Sequence, residues 1–575
     1  MRTHHLLQLV PNRVAAAVDR LSRQIWTRLR PVTVEATEST ENHLAWTAAI
    51  AKGRSSVLNG SVWGRLYDQR WCRLDLSRTS NSGGAPHEPL YLEWRDQAEA
   101  TLYVRGVPYF GFDVAHRYCP LPAGLSDAWV ESICVQTGIW HPDATGLSAA
   151  GSVFDGAFLV RRNDAVWDAY HDLNCLYEVM LAERPGGPQL NSIGQQAPLV
   201  RVSPSYRRLL RLLDQSIDAL DRGATGELRL SLAAAYAELR EPAPYFKALL
   251  TGHAHIDLVW LWPERVGEAK AIHTFATADR LMELYPEFRF MHSQPASYEA
   301  VARRSPELHE RVKGRIGTGQ WEATGVLYVE SDTQLPCGEA LARSFTLGQQ
   351  SFEALRGAPA GVVWLPDAFG YSSCLPQIMK LSGTECFFTN KVAWSAINRF
   401  PVSSFIWRGS DGSEVLAHVL QEVSYNGTAE PALLKLGAEA HLQSDVHPEY
   451  LYPTGYGDGG GGVTAEICER ARRLASIRGL PAVSWDLPEA FFSRLAERRA
   501  LLPTYSGEFY LEFHRGIFTT HANIKAAFRE LERALQVREA AAVASETAPD
   551  LNQAWRRMIF AQFHDYVPGS SVPEV

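Results

Sequence analysis

His253, His255 and Asp257 alternate in the stretch TGHAHIDLVWLWPER, which begins at residue 251. In an extended strand, alternate side chains share one face. Three polar groups on one face at the end of an apolar run are costly unless something binds there. Three further sites carry similar chemistry where apolar runs stop: Asp367 after VVWLP, Asp458 inside GYGDGGGG, and His564 with Asp565 in AQFHDYVPGSS. Two imidazoles and two carboxylates are a suitable ligand set for Zn²⁺ or a related divalent ion. Paired carboxylates can also serve as nucleophile, acid and base.

Each feature also has a plainer reading. An H-x-D pair can be a core histidine beside a solvated or capping aspartate, and Asp367 can cap the helix that follows it. Trp364 and Phe369 can offer aromatic surface to a sugar or simply fill the core. Gly455, Gly457 and Gly460 satisfy G-x-G-x-x-G between a strand and a helix, the pattern of a dinucleotide loop. Asp458 inside that loop would oppose a pyrophosphate, so an acid-bearing catalytic loop and a structural turn stay open beside it.

Reactive groups at strand ends need a scaffold of strands and helices to converge. From about Phe246 the chain alternates the two. FKALLTGHAHID, FRFMHSQ, GQWEATGV, AGVVWLPD, ECFFTN, YLYPTGYGD and PAVSWDL read as strands, and helical stretches such as SYEAVARRSPELHERV and TAEICERARRLASIRG separate them. About seven βα units predict a parallel sheet or barrel with its chemistry at the C-terminal strand ends. The fold class is a multidomain α/β chain: an N-terminal helix over 1–30, a β-sandwich over 31–170, a helical linker region over 171–245, the α/β catalytic domain over 246–502, and helices over 503–575.

With 575 residues the chain has room for about four domains. Its 46% hydrophobic and 21% charged residues are ordinary for a globular protein. A net charge of −8 and the lack of a Lys/Arg run argue against a nucleic-acid partner. No apolar stretch nears the roughly 20 residues of a membrane helix, and the N-terminus lacks a signal-type apolar core, so cytoplasmic residence is the expectation. The eight cysteines contain no C-x-x-C pair, which leaves any metal to His and carboxylates.

Taken together and in order, GHAHIDLVWLWP, HSQPASYEAV, GQWEATGVLYVESDTQLPCGEAL, VVWLPDAFGYSSCLPQIMKLSG, FFTNKVAW, GYGDGGGG, EFHRGIFTTHANIK and QFHDYVPGSS resemble the α-mannosidases of glycoside hydrolase family 38, of the cytosolic-type, class II branch. The resemblance runs from Met1 to the last residue. It implies a β-sandwich, a seven-stranded α/β barrel and an incomplete helical-bundle middle domain. It makes His255, Asp257, Asp367 and His564 the ligands of Zn²⁺ (or another divalent ion such as Co²⁺), Asp367 the nucleophile and Asp458 the acid/base. It assigns Trp260, Phe369 and Asp565 to the sugar and gives His253 no metal.

The implied activity is retaining, exo-acting hydrolysis of terminal α-D-mannosyl residues through a mannosyl-enzyme intermediate. An α-mannoside or oligosaccharide is the implied partner, with no nucleic acid and no membrane, and a homo-oligomer is left open. Members of that family continue past QFHD, whereas this sequence stops at Val575, so it reads as truncated. Two other classes are weighed against this reading. A metal-dependent amidohydrolase would use His253 and His255 together and would need further histidines at later strand ends. A non-enzymatic chain would use the sandwich as a binding module on an inert barrel.

Overall fold

Apolar runs without polar alternation become parallel strands buried on both faces. Lys247–Gly252 and Glu449–Thr454 are covered along nearly their whole length, and Phe290–His292, Trp321–Ala323 and Val362–Trp364 entirely so. Residues 7–77, 89–135, 151–183, 203–545 and 550–575 are described here from a computed structural model of the chain. The seven expected strands of the second half are all present, ending with Cys386–Thr389 and Ala482–Trp485.

Backbone hydrogen bonds join these strands into two sheets rather than one closed ring. In the first, Trp321–Ala323, Phe290–His292, Lys247–Gly252 and Glu449–Thr454 lie in that order, and Ala482–Trp485 also pairs with Lys247–Gly252, all parallel. In the second, Val362–Trp364, Cys386–Thr389 and Glu414–Val419 run parallel, followed by antiparallel Ser404–Arg408 and then Thr504–Ser506. Across the seams lie a parallel bridge between Gly427 and Thr454 and a 3.3 Å bond from Val362 N to Thr324 Oγ1.

Two local expectations change. Residues 404–419 form a hairpin, SFIWRGSDGSEVLAHV, about Asp411-Gly412, a turn signal that the βα rhythm obscured. The first strand stops at Gly252, so residues 253–257 leave the ladder and the alternation of His253, His255 and Asp257 no longer puts all three on one face.

The first half packs a six-stranded sheet, centred on Gln69–Asp75 and Asp127–Ile133, against a five-stranded sheet built on Ser152–Arg162. Leu74, Leu92, Trp94, Leu102, Phe112 and Phe154 fill the space between them. The N-terminal helix spans Val10–Ser22, shorter than expected, and the first strand begins at Trp26. That helix docks on Pro204–Asp221, where the Arg13 guanidinium reaches Asp214, Asp218 and Asp221 at 2.5, 2.7 and 2.5 Å. At the other end, Ala522–Ala544 and Asn552–Phe560 are helices, and His564 follows the second one in a run of turns.

Candidate metal centre and carboxylate pair

All the parallel strands point their C-terminal ends the same way, and the segments that leave them meet in one place. The chain after Gly252 brings His255 and Asp257, that after Trp364 brings Asp367, and the C-terminal turn brings His564. One donor atom from each of these four lies within 4.8 Å of all the others, and all four residues are buried. His255 Nε2 is 3.0 Å from Asp257 Oδ1 and 3.8 Å from Asp367 Oδ2. His564 Nε2 is 3.2 Å from Asp257 Oδ1 and 3.4 Å from Asp367 Oδ2, with no hydrogen-bond partner of its own.

The backing of the His564 ring decides its tautomer. His564 Nδ1 lies 2.8 Å from the Glu330 carbonyl oxygen, which can only accept, so Nδ1 carries a proton and Nε2 is free to present its lone pair. His255 Nδ1 lies 3.1 Å from Glu330 Oε2, close though poorly aligned. A carboxylate or carbonyl behind a ligating imidazole is the usual support of a metal-binding histidine. Two neutral imidazoles and two carboxylates fit a divalent cation at roughly 2.0–2.2 Å per bond.

His564 is also tied down through the backbone. Its N–H donates to Glu330 O at 3.2 Å, Asp332 N donates to Gln562 O at 2.8 Å, and Gln562 Nε2 donates to Ala340 O at 2.9 Å. His253 turns elsewhere: its Nε2 accepts from Trp364 Nε1 at 3.2 Å, and it takes no part in the four-residue cluster. An amidohydrolase-type H-x-H clamp would need that lone pair, so the geometry disfavours it.

Asp458 sits beside the cluster in the glycine loop. Tyr425 Oη is 2.8 Å from Asp367 Oδ1 and 3.0 Å from Asp458 Oδ1, and Asn426 Nδ2 donates to Asp458 at 3.1 Å. One hydroxyl so close to both carboxylates holds their oxygens nearer than the roughly 6.5–9.5 Å of an inverting pair. Lys391 Nζ is 2.5 Å from Asp367 Oδ1.

The two carboxyls titrate in opposite directions. Burial pushes Asp367 up, but its neighbours, the Lys391 ammonium foremost, outweigh it and hold the group far below the usual range. Burial, reinforced by repulsion from Asp367, raises Asp458 to about 6. Asp565 is raised to about 8, by burial and then by repulsion from Asp257 and Asp367, and Ser570 Oγ donates to it.

The expected sugar contacts are more scattered. The Phe369 ring lies 5.7 Å from that of His564, edge to face, and 4.7 Å from that of His514, stacked. Trp260 is half-buried and sits edge-on to Trp262 at 5.9 Å. Glu330, Lys391, Tyr425 and Asn426 carried no role in the sequence reading. Glu330 and Lys391 lie inside the quoted stretches GQWEATGVLYVESDTQLPCGEAL and FFTNKVAW, whereas Tyr425 and Asn426 lie outside every quoted motif.

Two family models match the chain. Residues 245–508 match the Glycosyl hydrolases family 38 N-terminal domain, and residues 512–575 match the Alpha mannosidase middle domain. The sandwich and the helices before residue 245 lie outside both. Alpha-mannosidase G of Dictyostelium discoideum is 38% identical over 327 residues, covering 56% of this chain and 30% of that protein. Alpha-mannosidase 2C1 of Homo sapiens is 40% identical over 335 residues, covering 56% and 32%. The chain thus spans about a third of the length of these curated relatives. The crystal structure of an α-mannosidase from Enterococcus faecalis V583 aligns with a TM-score of 0.50 at 19% identity, over 57% of this chain and 40% of that one, a likeness of fold.

Proposed function

This chain belongs to glycoside hydrolase family 38, and from that premise we propose that it carries the catalytic apparatus of a retaining, exo-acting α-mannosidase. The observation that carries the reading is the bridge Asp367–Tyr425–Asp458, set against a cluster of two imidazoles and two carboxylates. A carboxylate spacing below the inverting range supports a double displacement. Asp367, kept ionised by Lys391, attacks the anomeric carbon of a terminal α-D-mannosyl residue. Asp458, carrying a proton by virtue of its raised pKa, gives it to the leaving oxygen and then takes one from the water that releases the sugar. The Tyr425 hydroxyl has one proton to share between two carboxylates, so it can serve the charged Asp367 while Asp458 keeps its own.

His255, Asp257, Asp367 and His564 would hold Zn²⁺, or a similar ion such as Co²⁺, which when bound supplies Lewis-acid contact to the sugar hydroxyls. Phe369, Trp260 and Asp565 would frame the sugar. We read the two sheets as halves of a seven-stranded barrel within 246–502, preceded by the sandwich over 31–170 and followed by the middle domain. No helix among the described residues is long and apolar enough to cross a membrane. The eight unpaired cysteines suit the cytoplasm.

Hydrolysis of an aryl α-mannoside by the zinc-loaded chain tests this reading. Asp367→Ala should lower kcat by on the order of 10⁴-fold or more, with the circular dichroism spectrum unchanged. Undiminished turnover would remove Asp367 from the role of nucleophile.

A further inference from the structure

The glycine loop that carries Asp458 is not held by the catalytic half alone. Asp458 itself sits at φ +53°, a left-handed conformation that costs energy unless its surroundings enforce it. Within the loop, Tyr456 and Gly462 exchange two backbone hydrogen bonds of 2.8 Å, and Gly460 N donates to His255 O at 3.2 Å. The outer side of the loop faces the sandwich and the helix Glu264–Leu284, which lies between the two halves.

Two buried polar contacts reach the loop from there. In the first, Lys270 Nζ donates to Glu99 Oε1 of the sandwich at 2.6 Å and to the Gly459 carbonyl at 3.3 Å, with its ammonium 4.1 Å from the Trp262 ring centre. In the second, His116 Nε2 lies 2.9 Å from the Val463 carbonyl and Nδ1 lies 2.9 Å from Asp113 Oδ1. A carbonyl and a carboxylate both demand a donor, so this ring carries both protons and its charge is held by Asp113. Asp113 Oδ2 is also 3.3 Å from His273 Nε2 on the helix, and a Cβ on Gly461 would come within 2.8 Å of that same oxygen. Thr274 Oγ1 accepts from Gly461 N at 3.0 Å, and Gly111 N of the sandwich donates to Thr277 Oγ1 at 2.9 Å. Glu99, Asp113, His116, Lys270 and His273 are nearly or wholly buried, where an unmatched charge would be costly.

We propose that the N-terminal sandwich is a working part of the active site, its Glu99 and the Asp113–His116 pair clamping the 455–463 loop and so setting where the Asp458 carboxyl points. Glu99, His116 and Lys270 are positioning residues: none reaches the reacting atoms, and each acts on Asp458 through the loop backbone. The inference rests on Asp458 being the general acid/base.

The test compares the zinc-loaded wild-type chain with His116→Leu, which deletes the contact to Val463, and His116→Gln, which keeps a donor. Each is assayed on α-mannosides whose phenol leaving groups range from 4-methylumbelliferyl to 2,4-dinitrophenyl, with Asp458→Ala run alongside. In the glycosylation step, which kcat/KM reports, a misplaced acid harms only substrates whose leaving oxygen needs protonation. His116→Leu should therefore lose roughly 10- to 100-fold in kcat/KM on the least acidic phenol and little on the dinitrophenyl glycoside, with His116→Gln recovering most of the loss. Hydrogen exchange across 455–463 should speed up in His116→Leu independently of any chemistry. The pair Glu99→Gln, Lys270→Met acts on the other contact and should give the same two signatures. Equal losses on all leaving groups, or unchanged exchange in the loop, overturns the clamp. A flat leaving-group response from Asp458→Ala instead overturns the acid/base reading on which the clamp depends.

Discussion

Asp367 and Asp458 are both buried carboxyls touching one tyrosine hydroxyl, yet they end up on opposite sides of the usual carboxylate range. Lys391 lies against Asp367 at 2.5 Å, whereas at Asp458 desolvation and the charge of Asp367 both favour keeping the proton. This sets the sign of the pH dependence. The group that must be protonated titrates at about 6, so kcat/KM should be highest below that pH and fall as pH rises through it, about tenfold per unit beyond. Asp458→Asn should abolish this basic limb along with most of the activity toward poor leaving groups. A basic limb that persists unchanged in Asp458→Asn would assign it to another group. The neighbouring polar residues explain why sequence alone did not find the full site. His255, Asp257, Asp367 and His564 stood out as metal-binding types at the ends of apolar runs. Tyr425 and Glu330 have no such mark, because their roles come from standing between groups far away in the chain.

At the scale of elements, the glycine loop shows what its composition is for. The dinucleotide pattern in GYGDGGGG raised the question of a phosphate, but the loop backbone is walled by protein. Gly460, at φ +82°, has its Cα facing Thr274 Oγ1 too closely for a Cβ, and Gly461 faces Asp113. Gly460→Ala should therefore cost more than about 1 kcal/mol, from both the positive φ and the contact, and should loosen the loop. Thermal unfolding that matches the wild type would show that the wall can yield. The βα strands were legible because two-sided burial makes short, continuous apolar runs, as in Val362–Trp364 and Cys386–Thr389. The hairpin at 404–419 was not, since its two runs sit inside a stretch where strand and helix otherwise alternate. The end of the first strand at Gly252 was equally hidden: HAHID alternates as a strand would, but the paired register ends at Gly252, and the bond from His253 N to Thr454 O closes it.

Across the whole molecule, the four cluster residues come from three separate stretches of chain, after Gly252, after Trp364 and after Phe560. A cation bound there would be a cross-link between the two sheets and the C-terminal turn, and its binding energy would add to the stability of the folded arrangement alone. Free zinc at about 1,000 times its dissociation constant corresponds to roughly 4 kcal/mol in favour of that arrangement. The effect should be local as well as global, because the turn carrying His564 is otherwise held by the backbone bonds His564–Glu330 and Asp332–Gln562 and by the Phe563–Ser331 bridge. Adding a chelator should lower the apparent unfolding temperature and speed amide exchange in 330–332 and 562–565, while the sandwich strands around Gln69–Asp75, which share no ligand, should keep their protection. His564→Ala should remove the zinc-dependent part of both changes. If chelator treatment leaves exchange at Glu330–His564 as slow as before, the backbone bonds alone hold the C-terminal turn in place, and the cluster does not act as a structural cross-link.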